Sequence, residues 1–499
     1  VSTKYSVLVD WDGTGTLTKT AFLVPWQAGT SAQVYEDVGD YVRSDPGINT
    51  VRGRDQIRSL APPMAGSASC DVDNQARNFS PENTSSPLYG NLIPGRKVQI
   101  QAAYGGTVYY LFTGYLDDIP QHPERSRRSV SLPSLGTLSR LANKRVSTAL
   151  YSSITTDVAL GHLLDAAGWP AADRVLDTGK TTLDWWWLQD EDAFSAAVTL
   201  LNTEGPGASL YEDGQGRIVF ESRTYRMTTA RSTVSQATIS DTGAEPLFSE
   251  SFAYNPGLKD IINVAEVTIV TRSAAPESSF WQLGQAITLA ANETQKFVAS
   301  SSEPFMAAVT PTSPTDYAVT SGSVASLTMD RASGQSCTIT LTAGPSGAVL
   351  TGLQLRAQLV TVDTTTIAAN TVDATSSIAN YGRQVYTLST RQEIPLETAR
   401  DLVNALVGRY QDPRPTVTIT VNNGTSDRMA QILTREISDR ITIVEAQTGV
   451  NHDYWIERIE HHVDEAGLSH SVRFGCEKAL PVQYAVWDTA VWDTSLWGY

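Results

Sequence analysis

Along most of the chain, apolar residues alternate with polar ones in short runs that end in Gly, Asn, Asp or Ser, which is the period of half-buried strands. Val98, Ile100 and Ala102 alternate with polar neighbours up to Tyr104, Gly105 and Gly106 supply a two-residue turn, and Val108, Tyr110 and Phe112 resume the alternation. This predicts a hairpin with one apolar face. Arg125, Arg127 and Arg128 interrupt before the strand around Val130 and read as a solvated sheet edge.

Helical periods are few. From Thr156 to Ala167, Leu160, Leu163, Leu164 and Ala167 share a face, with Gly168 and Pro170 to stop the helix. From Asp190 to Asn202, three acids sit at the positive N-terminal end and Phe194, Ala197, Val198 and Leu201 form the apolar stripe. A hairpin follows, Ser209 to Tyr211 and Ile218 to Phe220 about Asp213-Gly214-Gln215-Gly216, so two helices on a small sheet make an α+β domain. From Pro276 to Thr364 the chain is rich in Ser, Thr, Ala and Gly, with strands at Ser336 to Thr342 and Gly352 to Leu359 and no helical period, as in an inserted β-sandwich. Beyond it the pattern predicts helices from Pro395 to Tyr410 and near Ser426 to Ile437, and a strand from Thr416 to Val421. A closing hairpin turns at Asp464-Glu465-Ala466-Gly467, with Val463 opposite Leu468, His461 opposite His470 and Ile459 opposite Val472.

At about 100 to 200 residues per domain, 499 residues imply several domains. The expected fold is mainly β with α+β parts: an N-terminal β-barrel-like domain over 1–146, a small α+β domain over 147–230, and a β segment returning to the barrels over 231–275. The inserted sandwich over 276–364, a C-terminal α+β domain over 365–480 and a Trp-rich tail over 481–499 complete the division. Apolar residues at 41% suffice for several cores, and with no apolar run of about 18 residues and no export-signal pattern at the start, neither membrane spanning nor export is expected. The 37 basic and 53 acidic side chains leave a net charge of -16, which repels phosphate backbones and argues against nucleic-acid binding as a main task. Cys70, Cys337 and Cys476 are odd in number and far apart, and read as buried small hydrophobes, not as a disulfide framework or zinc site.

Candidate chemistry is sparse. Val7 to Thr14 contains Asp10-Trp11-Asp12-Gly13-Thr14, the opening pattern of haloacid-dehalogenase-type phosphatases, but β hairpins follow instead of the β-α alternation that such chemistry requires, so a strand entering a Gly-rich turn is the plainer reading. Asp177 to Thr181 resembles the end of a P-loop, yet Arg174 occupies the place of the first glycine. His452, His461, His462 and His470 lie close in sequence, and the cross-strand pair His461 and His470 has the chemistry to bind a metal or sense pH, but with no evident third ligand a structural pair is the plainer reading. No metal or cofactor is expected, and no catalytic set is distinguishable. Trp185, Trp186 and Trp187 are adjacent strand residues and cannot form one sugar-stacking platform. Trp487, Trp492 and Trp497 repeat at five residues and Tyr499 follows, a period that suits neither helix nor strand, so this tail either straps across its own subunit or docks on a partner, the latter being the expectation.

Arg52-Gly53-Arg54-Asp55, Asn78-Phe79-Ser80-Pro81-Glu82-Asn83 and Ser86-Pro87-Leu88-Tyr89-Gly90-Asn91-Leu92-Ile93-Pro94-Gly95-Arg96 together resemble the N-terminal part of minor tail proteins of long-tailed actinobacterial phages. The resemblance continues through Trp187-Leu188-Gln189-Asp190-Glu191-Asp192-Ala193-Phe194, Gly352-Leu353-Gln354-Leu355-Arg356-Ala357, Asn380-Tyr381-Gly382-Arg383 and the Trp-rich end. It implies a baseplate or tail-tip hub, a homotrimer whose two β-barrel-like domains per subunit form a pseudo-sixfold ring under the tail tube, with DNA passing through the lumen. Its implied partners are the distal tail protein, the tube end, the tape measure protein and receptor-binding or other minor tail proteins. The implied location is the virion tail tip, after synthesis in the host cytoplasm. A rival reading is an adsorption module that binds host-surface glycans through the sandwich or exposed indoles, and a third is a phosphatase built on Asp10 and Asp12.

Overall fold

The computed structural model describes residues 3–15, 37–54, 60–242, 251–257, 260–331, 333–369, 374–389, 394–464 and 467–480. The chain is mainly β, arranged in several sheets, as the alternation requires. The first strands are β1 (Lys4–Val9), β2 (Ile48–Gly53), β3 (Ser67–Asp73), β4 (Lys97–Tyr104) and β5 (Thr107–Leu116). The small sheet of the middle region carries β6 (Ser209–Glu212) and β7 (Ile218–Glu221), and the C-terminal region carries β8 (Thr416–Asn422), β9 (Val450–Asp464) and β10 (Ser469–Lys478). One large sheet runs β1, β4, β5, Ser134–Gly136, β3, β2, β9, β10, β8 and Phe252–Asn255. Its central seam joins the two ends of the sequence, because β2 pairs antiparallel with β9 from Ile48 opposite Val463 to Gly53 opposite Arg458. One core therefore contains Val7, Phe79 and Phe112 together with Ile419, Ile459 and Phe474.

A second core is shared by α1 (Thr156–Ala166), α2 (Ala193–Glu204) and α3 (Leu396–Tyr410). Leu402 and Leu406 of α3 meet the same core as Leu160 and Leu163 of α1. The second helix starts later than its acidic run implies: Asp192 caps it by accepting from Ser195 N at 2.9 Å, while Asp190 lies before it at φ 48°. The buried stripe is therefore Ala193, Ala196, Ala197, Leu200 and Leu201, with Phe194 at its margin. A fourth helix, α4 (Ser426–Thr434), begins at a Thr425 cap, and its Met429, Ile432 and Leu433 are buried against the first core.

Two further differences from the sequence expectation concern register. In the hairpin of β4 and β5, Ile100 faces Phe112 but Gln101 faces Tyr110, so Leu111 is an inserted residue. Leu111 and Phe112 are both buried, and the shift turns Val108 and Tyr110 outward. In the closing hairpin Val463 faces His470, His461 faces Val472 and Ile459 faces Phe474, a slip of two residues. Leu468 stays in the turn, its carbonyl held by Asn423 Nδ2 at 2.9 Å, and a slip of two preserves which face is buried.

The regular elements described between residues 276 and 364 are all strands, packed around two small cores led by Leu341 and Leu350 and by Phe305 and Leu355. The strand expected at Ser336 to Thr342 runs on to Thr351, and the next spans Gln354–Ala369. That long strand pairs with Val264–Ala274, and the two form the ribbon by which this β unit joins the rest.

Candidate functional site: a buried ionic junction

Arg52 on β2 and Arg54 just beyond its end point into the protein, 3% and 4% exposed. A buried guanidinium must find several acceptors and a counter-charge. Arg52 donates to Leu111 O at 3.0 Å, Glu212 O at 3.3 Å and Glu436 Oε1 at 2.8 Å. Arg54 donates Nε–H to Glu457 Oε2 at 3.1 Å, and its other nitrogens to Ala61 O, Ala208 O and Ser209 Oγ. Glu457 of β9 is fully buried and also takes both terminal nitrogens of Arg226, which further bonds Ser438 Oγ and Ser209 Oγ. Burial works against the Arg226 charge, but Glu457 and Glu221 outweigh it and hold its pKa above the ordinary value.

Two more glutamates complete this junction. Glu212 of β6 accepts from Gly66 N at 2.5 Å, Leu138 N at 2.8 Å and Thr137 Oγ1 at 2.9 Å, while Glu221 of β7 accepts from Tyr211 OH at 2.9 Å and from Ser438. Burial raises the pKa of both carboxyls. Gly53, at φ 111°, lets β2 approach β9: a Cβ there would lie 2.2 Å from Glu457 O. The junction thus binds the N-terminal strands, the α+β hairpin and the C-terminal hairpin to one another. Sequence reasoning quoted Arg52 and Arg54 only within a resemblance and did not assign them this role. The available signal was two arginines at i and i+2 along a strand, on the same side as Ile48, which demands buried acids elsewhere if that side is the core.

The motif loop from Asn78 to Arg96 is a series of turns held by its own polar groups. Asn74 Oδ1 accepts from Phe79 N at 3.0 Å, and Ser86 Oγ accepts from Leu88 N at 3.1 Å. Phe79 and Leu88 are fully buried beneath it, and Gly90 and Gly95 adopt φ of 82° and 83°. Arg96 donates Nε–H to Asn91 O at 3.3 Å, bracing the base.

The sites weighed for chemistry resolve into structural roles. Asp10 is 3% exposed and its carboxylate accepts from Thr14 N at 3.1 Å and Gly15 N at 2.7 Å, fixing its own turn. The strand leading into that turn pairs antiparallel with β4, outside any parallel α/β sheet. Where the P-loop resemblance lay, Lys180 N and Thr181 N meet a protein carboxylate, Glu204, which also accepts from Thr156 Oγ1 at 2.6 Å. His461 and His470 are buried and bonded to each other at 3.0 Å, while His462 faces Asn49 and Asp464. Among the described residues no group of three His, Cys, Asp or Glu side chains is placed to hold a metal ion. Trp186 is in the second core, Trp185 Nε1 donates to Arg272 O at 3.2 Å, and Arg272 lies 5.2 Å above the Trp187 ring, so the three indoles split between core and contact. Arg127 forms an ion pair with Asp71 at the edge where the arginine cluster lies. Trp487, Trp492, Trp497 and Tyr499 lie outside the described residues.

No family model matches the chain, and no curated protein matches it. Among solved structures similar to it, a tail protein from Neisseria meningitidis shares 12% identity, with 96% of this chain and 97% of that one covered and a TM-score of 0.49. The 43 kDa tail protein of prophage MuSo2 from Shewanella oneidensis shares 10% identity over 96% and 99%, with a TM-score of 0.47. The prophage tail protein gp18 from Listeria monocytogenes shares 9% over 94% of each chain, with a TM-score of 0.40. No helix among the described residues is long and apolar enough to cross a membrane.

Proposed function

We propose that the chain is a structural protein of a phage tail, a tail-tip hub that assembles as a homotrimer and joins the tube end and distal tail protein to the tape measure and receptor-binding proteins. The observation that carries this reading is where the motif residues fall. Arg52, Gly53 and Arg54 sit at the junction of three strand systems, and the Asn78 to Arg96 segment is a braced loop over buried Phe79 and Leu88. The residues behind the resemblance are thus those that set the architecture, as expected of a family defined by assembly. In the same reading the indoles of the C-terminal tail dock on a neighbouring tail protein.

Light scattering after gel filtration tests the assembly: three times the 54.0 kDa chain mass is expected. A monomer that binds glycans or cell-wall fragments through residues 276–364 alone would overturn it in favour of an adsorption module. Removal of residues 481–499 is expected to leave the fold intact and to weaken capture of a neighbouring tail protein. A truncated chain that misfolds would refute the docking role of the tail.

A further inference from the structure

In the strand order of the large sheet β1 and β10 are separated by six strands, yet one chain of side chains ties them together. Tyr5 of β1 places its hydroxyl 2.8 Å from His470 Nδ1, and His470 Nε2 lies 3.0 Å from His461 Nδ1 on β9. The sheet curls enough for Gly467, in the hairpin turn, to reach the Tyr5 ring: a Cβ there would lie 2.8 Å from Cδ2. His470 is fully buried and His461 is 5% exposed, and the Tyr5 ring meets His470 edge-on with centroids 5.4 Å apart.

The hydrogen count of this chain closes with both rings neutral and fails when both are protonated, because His461 Nδ1–H then meets His470 Nε2–H. A neutral imidazole has one N–H and one acceptor nitrogen. When Tyr5 donates to His470 Nδ1, His470 Nε2–H donates to His461 Nδ1, and each facing atom is used once. A proton added at His461 Nδ1 either sets N–H against N–H or forces His470 to move its hydrogen to Nδ1 and Tyr5 to accept, with a cation left buried. A proton added at His470 Nδ1 forces the tyrosine to become an acceptor and leaves a cation buried. Among the described residues no carboxylate acts on either ring: Val463 and Val472 lie across the strands, Thr50 of β2 is opposite His461 with only a neutral hydroxyl, and Asn423, just beyond β8, gives His470 a backbone contact. The charged and titratable neighbours are Arg52 from β2, acting on His461, His462 from β9, acting on His470, and Tyr5 from β1. Arg52 repels added positive charge, and so does His462 when it is protonated. Burial, the largest cause, and these neighbours lower the pKa of both rings, His470 to about 3.

We propose that Tyr5, His470 and His461 form an acid-released clasp that holds the first strand against the closing hairpin while neutral and lets go when the histidines are protonated. The sign follows from linkage. The held state binds no proton on either ring, whereas a released ring titrates near its ordinary value of about 6.5. Above that pH the clasp has full strength. Below it, each unit of acidification favours release by about tenfold per ring, so pH 5 favours release by roughly 30-fold per ring.

Hydrogen exchange of the full chain, corrected for intrinsic rates and read at pH 7.5 and 5.0, tests the clasp. Lys4–Val9 and the turn side of Ser469–Lys478 are expected to gain at least about 30-fold in opening at pH 5.0 relative to the sandwich strands. His470→Gln is expected to remove most of that difference. Should it fail to fold, Tyr5→Phe, which deletes one hydroxyl and keeps the ring, is expected to speed exchange of β1 already at pH 7.5. An equal pH response in β1 and the sandwich overturns the proposal. So does a wild-type imidazole NMR titration in which both His461 and His470 protonate above pH 6.

Discussion

Replacement of Glu457 by Gln tests the buried junction directly. The carboxylate is fully buried and accepts three hydrogen bonds, one from Arg54 and two from Arg226. Bonds of this charged kind contribute roughly 1.5–3 kcal/mol each. The sum overstates the loss, because Gln keeps one acceptor and the arginines keep Ala61 O, Ala208 O, Ser209 Oγ and Ser438 Oγ. Breaking a buried pair while leaving its partner in place costs about 3–5 kcal/mol, and here two guanidiniums are left without their shared counter-charge. In urea unfolding followed by tryptophan fluorescence, an m-value of about 1–3 kcal/mol/M converts this to a midpoint lower by roughly 1–5 M. Trp455 reports on the same place, since Arg226 lies 5.5 Å from its ring. The matching surface control is Glu397→Gln, an exposed pair with Arg400 on α3, for which a change below about 0.5 kcal/mol is expected. A Glu457→Gln midpoint within the error of that control would refute the reasoning that the junction holds the three strand systems together.

Other outcomes follow from the same geometry. Glu204→Gln is expected to cost about 2–4 kcal/mol and to raise amide exchange at Lys180 and Thr181 first, because their N–H groups lose a charged acceptor. Gly53→Ala places a methyl 2.2 Å from Glu457 O at a left-handed φ, and a loss above about 2 kcal/mol by thermal unfolding is expected. Native protein is expected to leave all three thiols unreacted with a disulfide reagent at pH 8 and to release three on denaturation, since burial pushes Cys70 up to about 12, Cys337 to about 11 and Cys476 up as well. Reaction of any native thiol within minutes would contradict their burial.

Local features were legible in the sequence because their causes are local. The helix at Thr156 carries its apolar period and its stop within a dozen residues, and the hairpin after Ser209 carries its turn chemistry. What escaped was set at a distance. Leu111, the inserted residue of its hairpin, gives its carbonyl to Arg52 on another strand, and Leu468, left in the closing turn, gives its own to Asn423 on the preceding segment. Nothing near Lys180 and Thr181 in the sequence announces that the anion opposite their N–H groups is Glu204, on the far end of a helix. The buried pairing of Arg54 with Glu457 joins residues with no shared local pattern, so only the three-dimensional arrangement displays it.

The seam between β2 and β9 bears on how the chain is made. Ile48 and Val463 are paired neighbours although roughly 400 residues of chain lie between them. At about 5–20 residues per second, a ribosome needs roughly 20–80 s to deliver the second strand after the first has emerged. Throughout that interval β2 has one edge unpaired and Arg54 lacks its carboxylate. The strands around β2 are thus expected to wait as an incomplete sheet, a natural client for chaperones, until β9 arrives to finish it.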